Sequence, residues 1–291
     1  MVTSTVVGDI RLQWGESLRW DDARQRLYFV DCARQTLHWL DHGEPPLRSM
    51  QMPSLPTGVV LTDGAPVVVA LDEGLCLVDV DAETVDLLAP YPEDLGGRAN
   101  DAAADANGNL VTGTLNFGPG PGSYWWFSSA VGWQLLDTGI GNANGPVVLE
   151  DPASQAQTLV FADTIAAKVY AYPYDGERGT VGARRVLVDV AELGGAPDGA
   201  CADADQGVWG CVLGAGQVVR YEADGSHRTA VDAGVELPSD VTFGGPDLDR
   251  MFVVSIAVSI GDIEISSPRA GALLAIDGVD HRGQAERRFH L

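Results

Sequence analysis

Four short segments, far apart in the chain, carry side chains that could do chemistry together: Gly15-Glu16-Ser17, Arg98-Ala99-Asn100-Asp101, Asn142-Ala143-Asn144-Gly145 and Pro197-Asp198-Gly199. The carboxylates of Glu16 and Asp198 and the amide carbonyl of Asn144 are hard oxygen ligands. They suit Ca²⁺, Mg²⁺ or Mn²⁺, and Zn²⁺ with less preference. A cation among them would also relieve the repulsion between two buried carboxylates. Taken singly, each is equally an ordinary turn residue, because Glu16 follows a glycine and Asn144-Gly145 and Asp198-Gly199 are common turn dipeptides. Only convergence would make them a site.

The elements that must bring them together read as strands. Helical periodicity is nearly absent, and runs such as Arg26 to Asp31, Pro66 to Ala70, Thr158 to Asp163 and Met251 to Ser255 recur between Gly, Asp, Asn and Pro punctuation. The same unit returns over residues 16–41, 58–81, 100–127, 144–175, 198–224 and 239–277: a turn, a strand, a short loop, then a strand with an aromatic or aliphatic residue before Asp. Six units in 291 residues leave roughly 48 apiece, the size of a four-stranded propeller blade. The sequence therefore predicts an all-β six-bladed β-propeller, one domain over residues 1–291 with no composition shift or linker between halves. Val6 to Gln13 precedes the first unit and is expected to close the ring by joining the sheet that contains Gly271 to Asp277.

In such a ring the innermost strands line a central channel. Glu16, Asn144 and Asp198 precede the inner-strand candidates Leu18-Arg19-Trp20, Pro146 to Leu149 and Ala200-Cys201-Ala202, so all three would meet at its mouth. Asp105-Ala106-Asn107-Gly108 and Asp203 to Gly207 resemble calcium loops faintly, lack the full ligand series, and read as hairpin turns.

Composition removes several classes of function. With 41 Asp and Glu against 18 Lys and Arg, the net charge of −23 disfavours nucleic acid and anionic membranes as partners. The first residues lack a basic and an apolar leader region, and no apolar run approaches a membrane span, which predicts a cytoplasmic protein. Cys32, Cys76, Cys201 and Cys211 lie far apart and read as buried reduced thiols, although Cys201 and Cys211 could meet across a hairpin. No Gly-x-Ser-x-Gly elbow, dinucleotide fingerprint or phosphate loop occurs, which argues against serine hydrolysis and nucleotide cofactors.

Gly15-Glu16-Ser17 with Trp20 and Leu27 to Asp31 resembles the first blade of the senescence marker protein, gluconolactonase and luciferin-regenerating enzyme family. The likeness continues in order through Arg98-x-Asn100-Asp101 with Gly113-Thr114-Leu115, Asn144-Gly145 with Phe161 to Thr164, Pro197-Asp198-Gly199 with Asp203, Gly207 and Trp209, and Thr242 to Pro246. The resemblance implies one divalent cation (Ca, Zn, Mg or Mn) held by Glu16, Asn144 and Asp198, with Asn100 beside it. It implies substrate contacts from Arg98, Asn100 and Asp101. It also implies hydrolysis of a small molecule, a sugar lactone, with Asp198 as the general base and no obligate protein partner. Rival readings are a different ester, lactone or phosphotriester on the same site, and a non-catalytic metal-binding propeller. Leu18, Ala102 and Leu115 stand where the family pattern has Pro, Gly and Met, and none of these changes removes a ligand. The Asn116 to Ser123 loop, with Tyr124, Trp125 and Trp126, is expected either to shape the pocket mouth or to serve as blade packing.

Overall fold

The computed structural model describes residues 2–116, 121–226 and 228–291. Six antiparallel sheets follow one another along the chain, and together they form a six-bladed β-propeller. From the channel outwards, the first blade runs Gly15–Asp21, Arg26–Asp31, Thr36–Asp41 and Arg48–Gln51. The inner strands of the next five are Val59–Leu61, Arg98–Ala104, Ala143–Glu150, Ala196–Ala202 and Pro238–Gly244. The fourth sheet has five strands, because Thr180–Val181 and Arg185–Asp189 both pair with Lys168–Asp175.

Ring closure occurs where expected but with a different strand. The strand is Thr3–Val6, which pairs with Leu274–Asp277 from Thr3 opposite Asp277 to Val6 opposite Leu274; the expected segment Val6 to Gln13 only extends this contact, through Val7 N to Leu273 O (2.9 Å) and Leu12 N to Gly271 O (2.7 Å). Gly8 interrupts this run by taking φ +65°, a left-handed turn that glycine adopts without steric cost.

Each blade is covered on both faces by its neighbours, so its middle strands are continuous apolar runs rather than alternating ones; Val67–Ala70 is buried at every position. A separate apolar core fills each interface. Tyr28, Val30 and Trp39 meet Val59, Val67 and Val69 between blades one and two, and Leu18, Trp20 and Phe29 meet Phe252, Val254 and Leu273 between blades one and six. Tyr124 stacks on Phe161 between blades three and four, with ring centroids 3.8 Å apart. Trp125 lies in the core between blades two and three and Trp126 in that between three and four, so both are packing residues. Residues 117–120 of the Asn116 to Ser123 loop lie outside the described residues. All four cysteines are buried and unpaired by disulfide. No helix among the described residues is long and apolar enough to cross a membrane.

A C-terminal segment crosses the end of the channel away from the candidate site. Gly283 N donates to Leu248 O (2.7 Å) and Gln284 N to Ala202 O (3.2 Å); on the far side Phe289 N donates to Leu61 O (2.8 Å) and His290 N to Gly108 O (2.9 Å). Between this strap and the inner strands remains a cavity of about 50 Å³, lined by Arg19, Val147, Cys201, Thr242 and Glu286 among others.

Candidate functional site

One backbone device recurs at the channel mouth. The inner strand breaks register with its neighbour between Glu16 and Arg19, Ala99 and Ala102, Asn144 and Val147, Pro197 and Ala200, and Pro238 and Asp240. A bulge of this kind re-aims side chains, and here it does so in five blades around one axis. Gly145 adopts φ +51° directly after Asn144, and a Cβ there would lie 2.7 Å from Asp198 O, so the close approach of blades four and five requires glycine. Ser17 takes a similar φ of 54° after Glu16, and its Oγ accepts a 2.6 Å hydrogen bond from Val59 N of the next blade.

A chain of contacts joins Asn100 and Asn144 to the residue before Asp198. Asn100 Nδ2 donates to Asn144 Oδ1 at 2.6 Å and to Ala143 O at 2.9 Å. Asn144 Nδ2 donates to Thr164 Oγ1 (2.8 Å), whose hydroxyl donates to Pro197 O (2.8 Å), the residue before Asp198. Trp14 Nε1 donates to Glu16 Oε1 at 3.0 Å. Arg98 opens the third blade's inner strand, half-buried like Asn100 two residues on, whereas Ala99 between them is buried. The Cys32 thiol is pushed up by burial and by Glu16, drawn down by Arg98, and pushed up by Asp31 and Asp198.

Asp101 is placed differently from expectation. Its Oδ1 accepts from Arg19 Nη2 (3.0 Å) and Ala102 N (3.0 Å), and its Oδ2 accepts from Gly145 N (3.0 Å). Both oxygens are engaged by the protein and the residue is buried, so Asp101 braces the Asn144-Gly145 turn instead of reaching a substrate.

Beneath the mouth the channel is crowded with carboxylates. Burial pushes the Glu16 carboxyl well above the usual range, and repulsion from Asp198, Asp240 and Asp101 adds to this while the Trp14 hydrogen bond opposes it. Asp198 is raised likewise, by burial, Asp240 and Asp101, against the Gly199 N–H. Asp240 is pushed up to about 8 by burial and Asp101, against Arg19 and the N–H groups of Val241 and Leu18. Arg19 supplies the compensating charge. It binds Asp101 at 3.0 Å and Asp240 at 3.4 Å, and these partners outweigh burial to raise its own proton affinity.

The donors are hard oxygens of the kind a divalent cation takes. Glu16 and Asp198 are repelled carboxylates near the same axis, and the Asn144 carbonyl has a second lone pair beyond the one Asn100 takes. Among the described residues no group of three or more His, Cys, Asp or Glu is arranged to hold a metal, and the candidate set contains only two such groups beside the amide. Sequence reasoning missed the roles of Trp14, Arg19, Thr164 and Asp240. Two of them left a signal: Arg19 as a charge between Leu18 and Trp20 in an inner-strand candidate, and Thr164 as the end of the strand matched with Asn144-Gly145.

The description SMP-30/gluconolactonase/LRE-like region matches residues 14–257. A pentonolactonase of Haloferax volcanii is 31% identical over 95% of this chain and 94% of its own. A 6-deoxy-6-sulfogluconolactonase of Pseudomonas putida is 28% identical over 90% of each. Among solved structures, a calcium-binding regucalcin of Agrobacterium tumefaciens superposes with a TM-score of 0.88 at 25% identity, covering 99% of this chain and 98% of its own.

Proposed function

Because the chain belongs to the SMP-30/gluconolactonase/LRE-like family, we propose that it is a divalent-cation-dependent hydrolase that opens a sugar lactone to the hydroxy acid. The single observation that supports this reading is the run of hydrogen bonds from Asn100 through Asn144 and Thr164 to the carbonyl that precedes Asp198, beside a Glu16 carboxyl whose proton affinity is raised by burial and by Asp198. The lactonases among its relatives, covering nearly its whole length, support the reaction class. The calcium-binding relative supports a cation.

Glu16, Asn144 and Asp198 would hold the cation. When bound, it would supply Lewis-acid polarisation of the ring carbonyl and charge stabilisation as the oxyanion develops, a contribution of several kcal/mol. Asp198 acts as general base: it takes a proton from the attacking water as the new C–O bond forms at the carbonyl carbon. When the ring C–O bond breaks, that proton passes to the departing ring oxygen, which becomes the hydroxyl of the product. The new carboxyl group ionises to solvent, so one proton is released per turnover at neutral pH. Asn100 and Arg98, half-buried at the rim, hold substrate hydroxyls by hydrogen bonding. Asp101 and Thr164 act by position, fixing Gly145 and Asn144.

The test is proton release from a panel of five- and six-membered sugar lactones, using chelator-stripped protein with Ca²⁺, Mg²⁺, Mn²⁺ or Zn²⁺ restored singly, alongside Asp198→Asn. Cation-dependent turnover that falls at least ~10²-fold in the variant is expected for loss of a general base. Absence of turnover on every lactone, with a cation bound, would overturn the reading in favour of another ester substrate or a binding role.

A further inference from the structure

Trp14 lies just outside the repeated inner-strand motif, and its indole is the one hydrogen-bond donor to the Glu16 carboxylate among the described residues, at 3.0 Å. A glutamate has several rotatable bonds, so a carboxylate at a channel mouth does not hold one orientation unless something fixes it. The indole is itself well anchored. Trp14 N donates to Asp31 Oδ1 (3.2 Å) and Trp14 O accepts from Cys32 N (2.9 Å), which ties its backbone to the first blade. An antiparallel bridge to Ile256 and the hydrogen bond from Ala257 N to Gln13 O (3.0 Å) tie the same segment to the sixth.

The ring packs in an apolar cluster of Leu213, Leu237 and Ile256 with Val258, Ile260, Ile263 and Ile265. The last four belong to the long connection between Arg250–Ser255 and Leu274–Asp277. Three blades thus meet around one indole, and its only polar atom is spent on Glu16.

We infer that Trp14 is a positioning residue for the cation site: it fixes Glu16 Oε1 by hydrogen bonding, leaves Oε2 for the ion, and ties that orientation to the apolar connection of the sixth blade. The inference rests on the proposed role of Glu16 as a cation ligand. Groups that orient a metal ligand by hydrogen bonding typically change metal affinity by about 10- to 100-fold when removed. Trp14 is held by the fold whether or not an ion is bound, so its contribution is pre-organisation.

The experiment compares wild type, Trp14→Phe and Trp14→Ala after chelator treatment. Ca²⁺ and Mn²⁺ binding is measured by titration calorimetry, cation-free melting by circular dichroism, and the tryptophan emission change on adding each ion by fluorescence. Trp14→Phe keeps an aromatic ring in the cluster and loses the N–H. The expected result is cation binding weakened about 10- to 100-fold with melting close to wild type, together with loss of the part of the emission change that reports Trp14. Trp14→Ala should lose both affinity and thermal stability. Wild-type affinity in Trp14→Phe would overturn the inference and leave Glu16 as a ligand. If wild type bound neither ion, the reading of Glu16 as a ligand would fall first, and the inference with it.

Discussion

Replacing Arg19 by Met removes the positive charge that the channel carboxylates share while keeping a chain of similar length. The guanidinium donates to Asp101 Oδ1 (3.0 Å), Ala102 O (2.7 Å), Leu18 O (2.6 Å) and, at 3.4 Å, Asp240 Oδ2. Arg19, Asp101 and Asp240 are all buried, so water cannot take over these contacts. Breaking a buried pair from one side costs about 3–5 kcal/mol, because the remaining charge is left uncompensated. At roughly 2–4 °C per kcal/mol for a chain somewhat smaller than this one, that is a fall in Tm of about 6–20 °C.

The deficit also carries a pH signature. Asp240 already holds its proton up to about 8 in the folded protein. Without Arg19 its proton affinity rises further, so above that value the folded variant retains a proton that wild type has released. By linkage the variant's deficit widens as pH rises through about 8. Thermal melts at pH 6, 7 and 9, for wild type, Arg19→Met and Arg19→Met with Asp101→Asn, measure both effects. The double variant should recover part of the loss, since one orphaned charge is gone. A single variant that melts like wild type at all three values would refute the claim that Arg19 compensates this cluster.

Two further outcomes follow from the same structure. In cation-free protein the carboxyl of Asp240 binds its proton more tightly folded than unfolded, between its ordinary 3.8 and about 8, and Glu16 and Asp198 shift the same way. This part of the stability is complete below pH 4 and is lost as pH rises towards 8. Urea midpoints at pH 5, 6.5 and 8 should fall, added Ca²⁺ should restore most at pH 8, and a Ca²⁺ effect equal at all three values would contradict the reading. Arg288→Ala severs the strap from the first blade, where Nη2 reaches Asp21 at 2.7 Å and Asp22 at 2.8 Å. About 1–2 kcal/mol should be lost, and amide exchange at Phe289 and His290 should accelerate; unchanged exchange would show that the strap is held by its backbone contacts alone.

The parts of the molecule that were legible from sequence are those where one residue type answers one local demand. Turn dipeptides such as Asn144-Gly145 and Asp198-Gly199 marked the bulges because a Cβ at either glycine would collide with the next blade. The buried middle strands announced themselves as apolar runs. The outermost strands left weaker traces: Arg48–Gln51 and Thr84–Pro90 are mostly exposed and carry neither a run nor an alternation, so the repeat units ended short of them. The couplings that organise the site were hidden by distance in sequence. Arg19 and Asp240 lie 221 positions apart, and nothing local to Pro238-Ser239-Asp240 says that its carboxylate caps Leu18 N. Asp101 misled for a related reason, since its neighbour Asn100 faces the site while the bulge turns Asp101 into the channel wall.

The strand that completes the sixth blade sets a schedule for how the molecule can be made. Thr5 pairs with Ala275, 270 positions later. At synthesis rates of about 5–20 residues per second, the first strand waits roughly 15–55 s for its partner to be made. Until the end of that interval its partner does not exist, although the residues of the other five sheets, through Asp232, have been made. The last stitch is thus among the least local contacts in the fold, and the kinetic burden of the architecture falls on four residues at each side of one seam. Moving the chain ends to the gap between two blades would turn that seam into an ordinary within-blade pairing and leave the finished ring the same.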